Sequence, residues 1–266
     1  MNLYSLTVED NDDKTWELIW GQFLKIPYEY NTIFHCGAAA GPTEAYGSVE
    51  VANRFSLILK NKNFDFVWVD TENFYNDGPP STGFDSMSSG RIERIKDYAQ
   101  KSNENIFVYD YELKQDEDSI SNVLNDNGFS NNLALLVLDL DSIDYYALKN
   151  FKGDSEVIIC EFNPGYGKYL TTYKEGGDQI GNYGASMHAM CFALKDRNYK
   201  IFGFDGPNII FVKQKFEYIF TEELLSFETE DELDLIWENW KNFNSDSFSS
   251  SERGYDKVLR SVKGDK

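Results

Sequence analysis

The run Leu133-Ala-Leu-Leu-Val-Leu138 ends abruptly in three carboxylates, Asp139, Asp141 and Asp144. Six apolar residues bounded by polar ones predict a strand buried on both faces, as in a parallel sheet. Open α/β sheets hold their ligands outside the carboxyl ends of such strands, where these acids fall. Clustered carboxylates repel one another, so a metal ion, a cationic ligand or a raised pKa must offset them. Asp139 and Asp141 are therefore candidate catalytic or metal-binding residues, with magnesium an ion suited to oxygen ligands. The competing reading makes Asp141 or Asp144 a cap of the following helix.

Two further groups could do chemistry. Thr32-Ile-Phe-His-Cys36 reads as a strand and runs into a small-residue turn with Gly37, Ala38, Gly41 and Gly47. Such a turn lets backbone approach a ligand at a helix N-terminus. The spacing is not GxGxxG, and no Lys-Ser/Thr follows Gly41, so a P-loop is excluded. Asp70 or Glu72 closes the second strand, where a carboxylate can accept hydrogen bonds from a ribose diol. Asp110 closes the third strand and could face the same ligand. Gly37, Ala38, Gly41, Asp70, Glu72 and Asp110 together form a candidate site for a nucleoside-bearing cofactor. Of the two histidines, His35 reads as packed or hydrogen-bonded within its strand rather than catalytic. His188, near the start of a helix, is either a general base or a helix-surface histidine. Cys36 has no second catalytic signature beside it, so thiol catalysis is set aside.

These residues need a scaffold. Trp16, Ile19, Trp20 and Phe23 repeat at helical spacing over 12–25. Helices follow at about 48–61, 91–101, 117–127, 143–151 and 184–197. Strands are expected at Thr32–Cys36, Phe64–Asp70, Ile106–Asp110, Leu133–Leu138 and Glu156–Phe162. A hairpin of Tyr199–Phe204 and Ile209–Val212 comes next. The alternation predicts an α/β fold: a doubly wound, mostly parallel, Rossmann-like sheet with an antiparallel edge hairpin. N- and C-terminal amphipathic helices flank it, the latter over 230–241 with Leu233, Ile236, Trp237 and Trp240 in step. The Trp-bearing helices either cover the core or make a contact between copies, as in a homo-oligomer. The expected division is an N-terminal helical extension at 1–30, the sheet domain at 31–215, and a C-terminal helical extension with a flexible tail at 216–266. Glycine- and proline-rich stretches at 73–90 and glycine-rich ones at 168–183 read as mobile loops.

Composition limits the partners. The net charge is −20, so a phosphate backbone is repelled and nucleic acid is a poor partner. No apolar run approaches the roughly 20 residues of a membrane span. The first ten residues lack the basic and apolar regions of a secretory signal. Cys36, Cys160 and Cys191 form neither a zinc pattern nor a disulfide framework, which points to a reducing cytoplasm.

Several phrases resemble FkbM-like members of the S-adenosylmethionine-dependent methyltransferase superfamily. Leu138-Asp-Leu-Asp-Ser-Ile-Asp-Tyr-Tyr146 resembles that group's Leu-Asp-Ile-Asp-Gly-Asn-Asp-Tyr-Trp, with Ser142 in place of glycine. Val157-Ile-Ile-Cys-Glu-Phe-Asn163 and Tyr183-Gly-Ala-Ser-Met-His-Ala-Met190 resemble later motifs. So do Asn198-Tyr-Lys-Ile-Phe-Gly203 and Asn208-Ile-Ile-Phe-Val-Lys213. The likeness is specific over about 133–213. His35-Cys-Gly-Ala-Ala-Ala-Gly41 departs from the group's acidic-Gly-x-Gly-x-Gly turn. The resemblance implies S-adenosylmethionine as cofactor and methylation of a hydroxyl on a saccharide, a polysaccharide precursor or a small metabolite. It assigns the glycine turn with Asp70 and Asp110 to the cofactor, and Asp139, Asp141 and His188 to the acceptor. The acid cluster also resembles that of sugar O-methyltransferases that use magnesium. Two alternatives stand beside it: a non-catalytic binding or assembly protein on the same fold, and a nucleotide-sugar enzyme.

Overall fold

The computed structural model describes residues 21–37, 63–70, 91–101, 105–140, 143–168, 170–172, 184–205, 207–221, 223–243 and 260–261. The expected helix at 48–61 lies outside them, as do the loop at 73–90, most of the loop at 168–183 and the segment 244–259. Among the described residues seven strands form the main sheet: β1 Thr32–Cys36, β2 Asp65–Asp70, β3 Asn105–Asp110, β4 Asn132–Leu138, β5 Asp154–Glu161, β7 Tyr199–Asp205 and β8 Asn208–Lys213. The short β6 (Thr171–Thr172) pairs instead with β9 (Arg260–Ser261). The order is β3-β2-β1-β4-β5-β8-β7. The first five strands pair in parallel, and β8 runs antiparallel to both neighbours. The fold is thus the expected doubly wound α/β sheet with an antiparallel edge hairpin. The chain winds outward through β2 and β3, then returns to lay β4 on the other side of β1. The order reverses between β1 and β4, the place where such sheets open a crevice.

Alternation along β4 explains its apolar run. Leu136 and Leu138 enter one core layer, and Leu135 and Val137 enter the other. Each fully buried large side chain contributes about 1.5–3 kcal/mol of transfer free energy. Four helices bury side chains in the first layer: α2 Ser119–Asp126, α3 Asp144–Asn150, α4 Met187–Leu194 and α5 Glu230–Phe243. The other layer holds Ile95 of α1 (Arg91–Lys101), and Phe23, whose ring packs edge-on against Phe202 and Phe220. On α5, Trp237 and Trp240 stack at 5.2 Å and are buried, with Trp240 against Phe162 at 5.1 Å. This tryptophan pair covers the core. Trp16 and Trp20 lie outside the described residues. Among the described residues no helix is long and apolar enough to cross a membrane.

Element ends follow local hydrogen bonding. Asp118 caps α2 by accepting from the Ser121 N–H, and Ser186 caps α4 by accepting from the Ala189 N–H. Helix α4 is shorter than its pattern predicts. Ser186 starts it late, and beyond Lys195 both Asp196 and Asn198 take left-handed backbone with φ of 64° and 58°. Strand β5 begins earlier than expected, at Asp154, and carries the buried Glu156, only 1% exposed. The Glu156 carboxylate accepts from the Glu29 N–H at 3.1 Å and the Tyr30 N–H at 3.4 Å, and meets Lys215 Nζ at 3.5 Å. Burial pushes this carboxyl upward, and its backbone donors pull it back. Glu156→Ala would strip both N–H groups of their acceptor and should cost about 1–3 kcal/mol. Urea unfolding measures this, and an unchanged midpoint would mean that water replaces the carboxylate.

Candidate functional site

The sheet gathers the strand-end residues into one row. Asp70 and Asp110 are register partners at the ends of β2 and β3. Cys36 pairs with Val69 on one side and Leu138 on the other. One residue further on, the Gly37 N–H donates to the Val69 carbonyl at 3.0 Å and the Asp139 N–H donates to the Cys36 carbonyl at 3.2 Å. Gly37 therefore stands between Asp70 and Asp139. Leu138 pairs with Cys160, so the next residue on β5, Glu161, stands beside Asp139, and Glu161 pairs with Asn208. The row runs Asp110, Asp70, Gly37, Asp139, Glu161 along the carboxyl edge, and its centre straddles the β1/β4 reversal. Asp110 is exposed, Asp70 is buried at 6% exposure, and Asp139 and Glu161 are half-buried.

Gly37 leaves no room for a side chain. Its φ is +78°, and a Cβ built there would lie 1.6 Å from the Asp139 carbonyl oxygen. The turn off β1 is thus pressed against the exit of β4. Of the expected turn residues, Ala38 and Gly41 lie outside the described residues, as do Glu72 and Asp141.

Asp144 has a different part. It is 1% exposed, and its Oδ1 accepts from the Leu140 N–H at 2.8 Å. It closes the loop between β4 and α3 on itself, a local side-chain-to-backbone bond typical of aspartate. Cys36 sits among these acids. Burial pushes its thiol well above the ordinary range, and the charges of Asp70, Asp144 and Asp139 push it further. A protonated, buried thiol is inert, which agrees with setting thiol catalysis aside. His35 is fully buried in β1, its ring 6.3 Å from that of Trp68, and among the described residues neither ring nitrogen has a hydrogen-bond partner. Burial holds its pKa down to about 4, so it stays neutral.

His188 lies in the first turn of α4, away from the row in sequence and anchored differently. The loop before it is tied to the end of β5, where the Asn163 N–H donates to the Ala185 carbonyl at 2.7 Å. The ring is buried at 6% exposure. Its Nε2 lies 3.4 Å from Asp234 Oδ1 on α5, within ion-pair reach. Burial pushes its pKa down and Asp234 pulls it back, burial being the larger effect. The imidazole is therefore neutral near neutral pH, the form a general base needs. Asp234 also meets Lys168 Nζ at 3.3 Å.

Glu161 and Asp234 were not singled out from sequence. The strand-end rule that selected Asp70, Asp110 and Asp139 applies equally to Glu161. Asp234 gives no such signal, because its contact with His188 joins two helices remote in the chain. Among the described residues no group of three or more His, Cys, Asp or Glu is arranged to hold a metal ion.

No protein-family model matches the chain, and no curated protein sequence matches it. Among solved structures it is similar to the apo form of a TDP-rhamnose 3'-O-methyltransferase, an enzyme in calicheamicin biosynthesis. The identity is 10%, with 75% of this chain and 77% of that chain covered, and the TM-score is 0.36. The fold assignment rests on the strand order and register themselves.

Proposed function

We propose that this chain is an S-adenosylmethionine-dependent methyltransferase that modifies a hydroxyl of a saccharide, a polysaccharide precursor or another small metabolite. The observation that carries the reading is the row Asp110, Asp70, Gly37, Asp139 across the sheet reversal. The motif resemblance over 133–213 and the doubly wound sheet with its antiparallel hairpin support it.

The residues present suit the cofactor. Asp70 places a carboxylate acceptor at the rim, as a ribose diol requires, with Asp110 beside it. The acid row also favours a cationic group over an anionic one. When bound, S-adenosylmethionine supplies an electrophilic methyl group on a sulfonium. The chain's own task is to align the acceptor and remove its proton. Asp139 would orient the acceptor by accepting from a hydroxyl. His188 would take the proton from the reacting oxygen and release it to water. Asp139 and Asp141 could together contact magnesium, which would lower the acceptor hydroxyl pKa. No step here depends on that ion. The proposed setting is cytoplasmic.

Thermal shift tests the reading. S-adenosylmethionine or S-adenosylhomocysteine should raise the melting temperature, with about 2.7 kcal/mol of stabilisation at 100 times the dissociation constant. Asp70→Ala should weaken binding by about 1.5–3 kcal/mol, roughly 10- to 150-fold, while the fold survives. No response to either ligand up to millimolar concentration would sink the proposal.

A further inference from the structure

Outside the acid row, one charged cluster links three parts of the chain. His188 begins α4, Asp234 and Glu230 lie on α5, and Lys168 follows the turn after β5. Asp234 divides its two oxygens: Oδ1 lies 3.4 Å from His188 Nε2, and Oδ2 lies 3.3 Å from Lys168 Nζ. Both ring nitrogens are buried and, among the described residues, neither makes a hydrogen bond; Nε2 has the Asp234 carboxylate within ion-pair reach, and Nδ1 is left unpaired. A buried nitrogen without a partner is costly and asks for a reason. Hydrogen bonds of a catalytic group are often long until substrate is bound.

We propose that Asp234 is the positioning residue of His188, holding the Nε2 side of the ring so that Nδ1 is the nitrogen that receives the acceptor's proton. Lys168 fixes the carboxylate, so that Oδ1 is left for the imidazole. The inference rests on the methyltransferase reading for the identity of the acceptor, and on geometry for the pair itself. The hydroxyl O–H bond breaks, its proton goes to Nδ1, and its electron pair stays on oxygen as the nucleophile. Asp234 remains ionised and stabilises the imidazolium that forms. Among the described residues Asp234 and Glu230 favour protonation of the ring, and Lys168 opposes it.

The chain has two histidines, and His35 is neutral above about pH 4. Long-range nitrogen–proton NMR on full-length protein labelled in histidine therefore identifies His188 as the ring that titrates above pH 5, and His35 as the one that does not. The expected tautomer carries its proton on Nε2, and a proton on Nδ1 would overturn the pair. Asp234→Asn should lower the His188 titration midpoint and Asp234→Glu should restore it. A midpoint indifferent to Asp234→Asn would also overturn it. A third arm separates a catalytic place from a structural one. Saturating S-adenosylmethionine should lower the midpoint by on the order of one pH unit relative to neutral-sulfur S-adenosylhomocysteine, because a sulfonium repels an imidazolium. Equal midpoints with both ligands bound would overturn the role of the pair but not the methyltransferase reading. Binding of neither ligand would sink that reading, and the proton-transfer role with it.

Discussion

Gly37→Ala should leave little folded protein at 37 °C and cost on the order of 4–5 kcal/mol, a large part of a domain's whole stability. Two effects add. At φ +78° an alanine is strained by about 1–2 kcal/mol. Its Cβ would also sit 1.6 Å from the Asp139 oxygen and 2.6 Å from the Asp139 carbonyl carbon. The clash is with backbone, and that backbone is held by the Cys36 carbonyl and by the buried Leu138 just before it. It cannot move without opening the β1/β4 ladder. Gly128 is the control: its φ is +79°, and among the described residues nothing lies within 4 Å of a Cβ built there. Gly128→Ala should show the backbone strain alone. Urea or thermal unfolding of both variants measures the difference, and equal losses would refute the close approach at Gly37.

His35→Leu should largely remove one source of acid sensitivity. The folded-state pKa of His35 is about 4, against 6.5 for a free imidazole. A depressed pKa means that the unfolded chain binds the proton first. The stability is fully present above pH 6.5 and is lost as pH falls toward 4. At about 1.4 kcal/mol per pH unit, roughly 3 kcal/mol goes across that window. Leucine cannot titrate, and it removes two buried nitrogens that have no hydrogen-bond partner among the described residues. The variant should therefore match or exceed the parent at pH 7 and exceed it by roughly 2–3 kcal/mol at pH 4.5. Urea unfolding at the two pH values decides the matter. Parallel losses in parent and variant would show that His35 is not held neutral.

Much of the fold was legible because periodicity is local. β1 occupies Thr32–Cys36 and α1 occupies Arg91–Lys101, the bounds their patterns predict. The β4 run announced a doubly buried strand because only a parallel centre strand needs apolar residues on both faces. Where sequence misled, the cause was a remote partner. The fifth strand is expected to begin at Glu156, yet it starts at Asp154 and buries Glu156, whose partners Glu29, Tyr30 and Lys215 come from elsewhere in the chain. The alignment of Asp110, Asp70, Gly37 and Asp139 in one row required the register, which no single strand carries. Asp144 reads from sequence as either a rim acid or a helix cap, and its bond to the Leu140 N–H shows it closing a loop instead, with Ile143 at the cap position and no side-chain cap bond there.

The three cysteines have a practical consequence. Cys36 is 1% exposed, and Cys160 and Cys191 are wholly buried. Burial raises all three thiols, so the native state presents almost no thiolate to an alkylating reagent. Labelling must wait for the structure to open around each sulfur. The protein thus carries three internal clocks, one on β1, one on β5 and one on α4. If the sheet and α4 open together, the three label at one rate. If α4 opens alone, Cys191 runs ahead, and the gap measures how much less firmly that helix is held than the strands it covers.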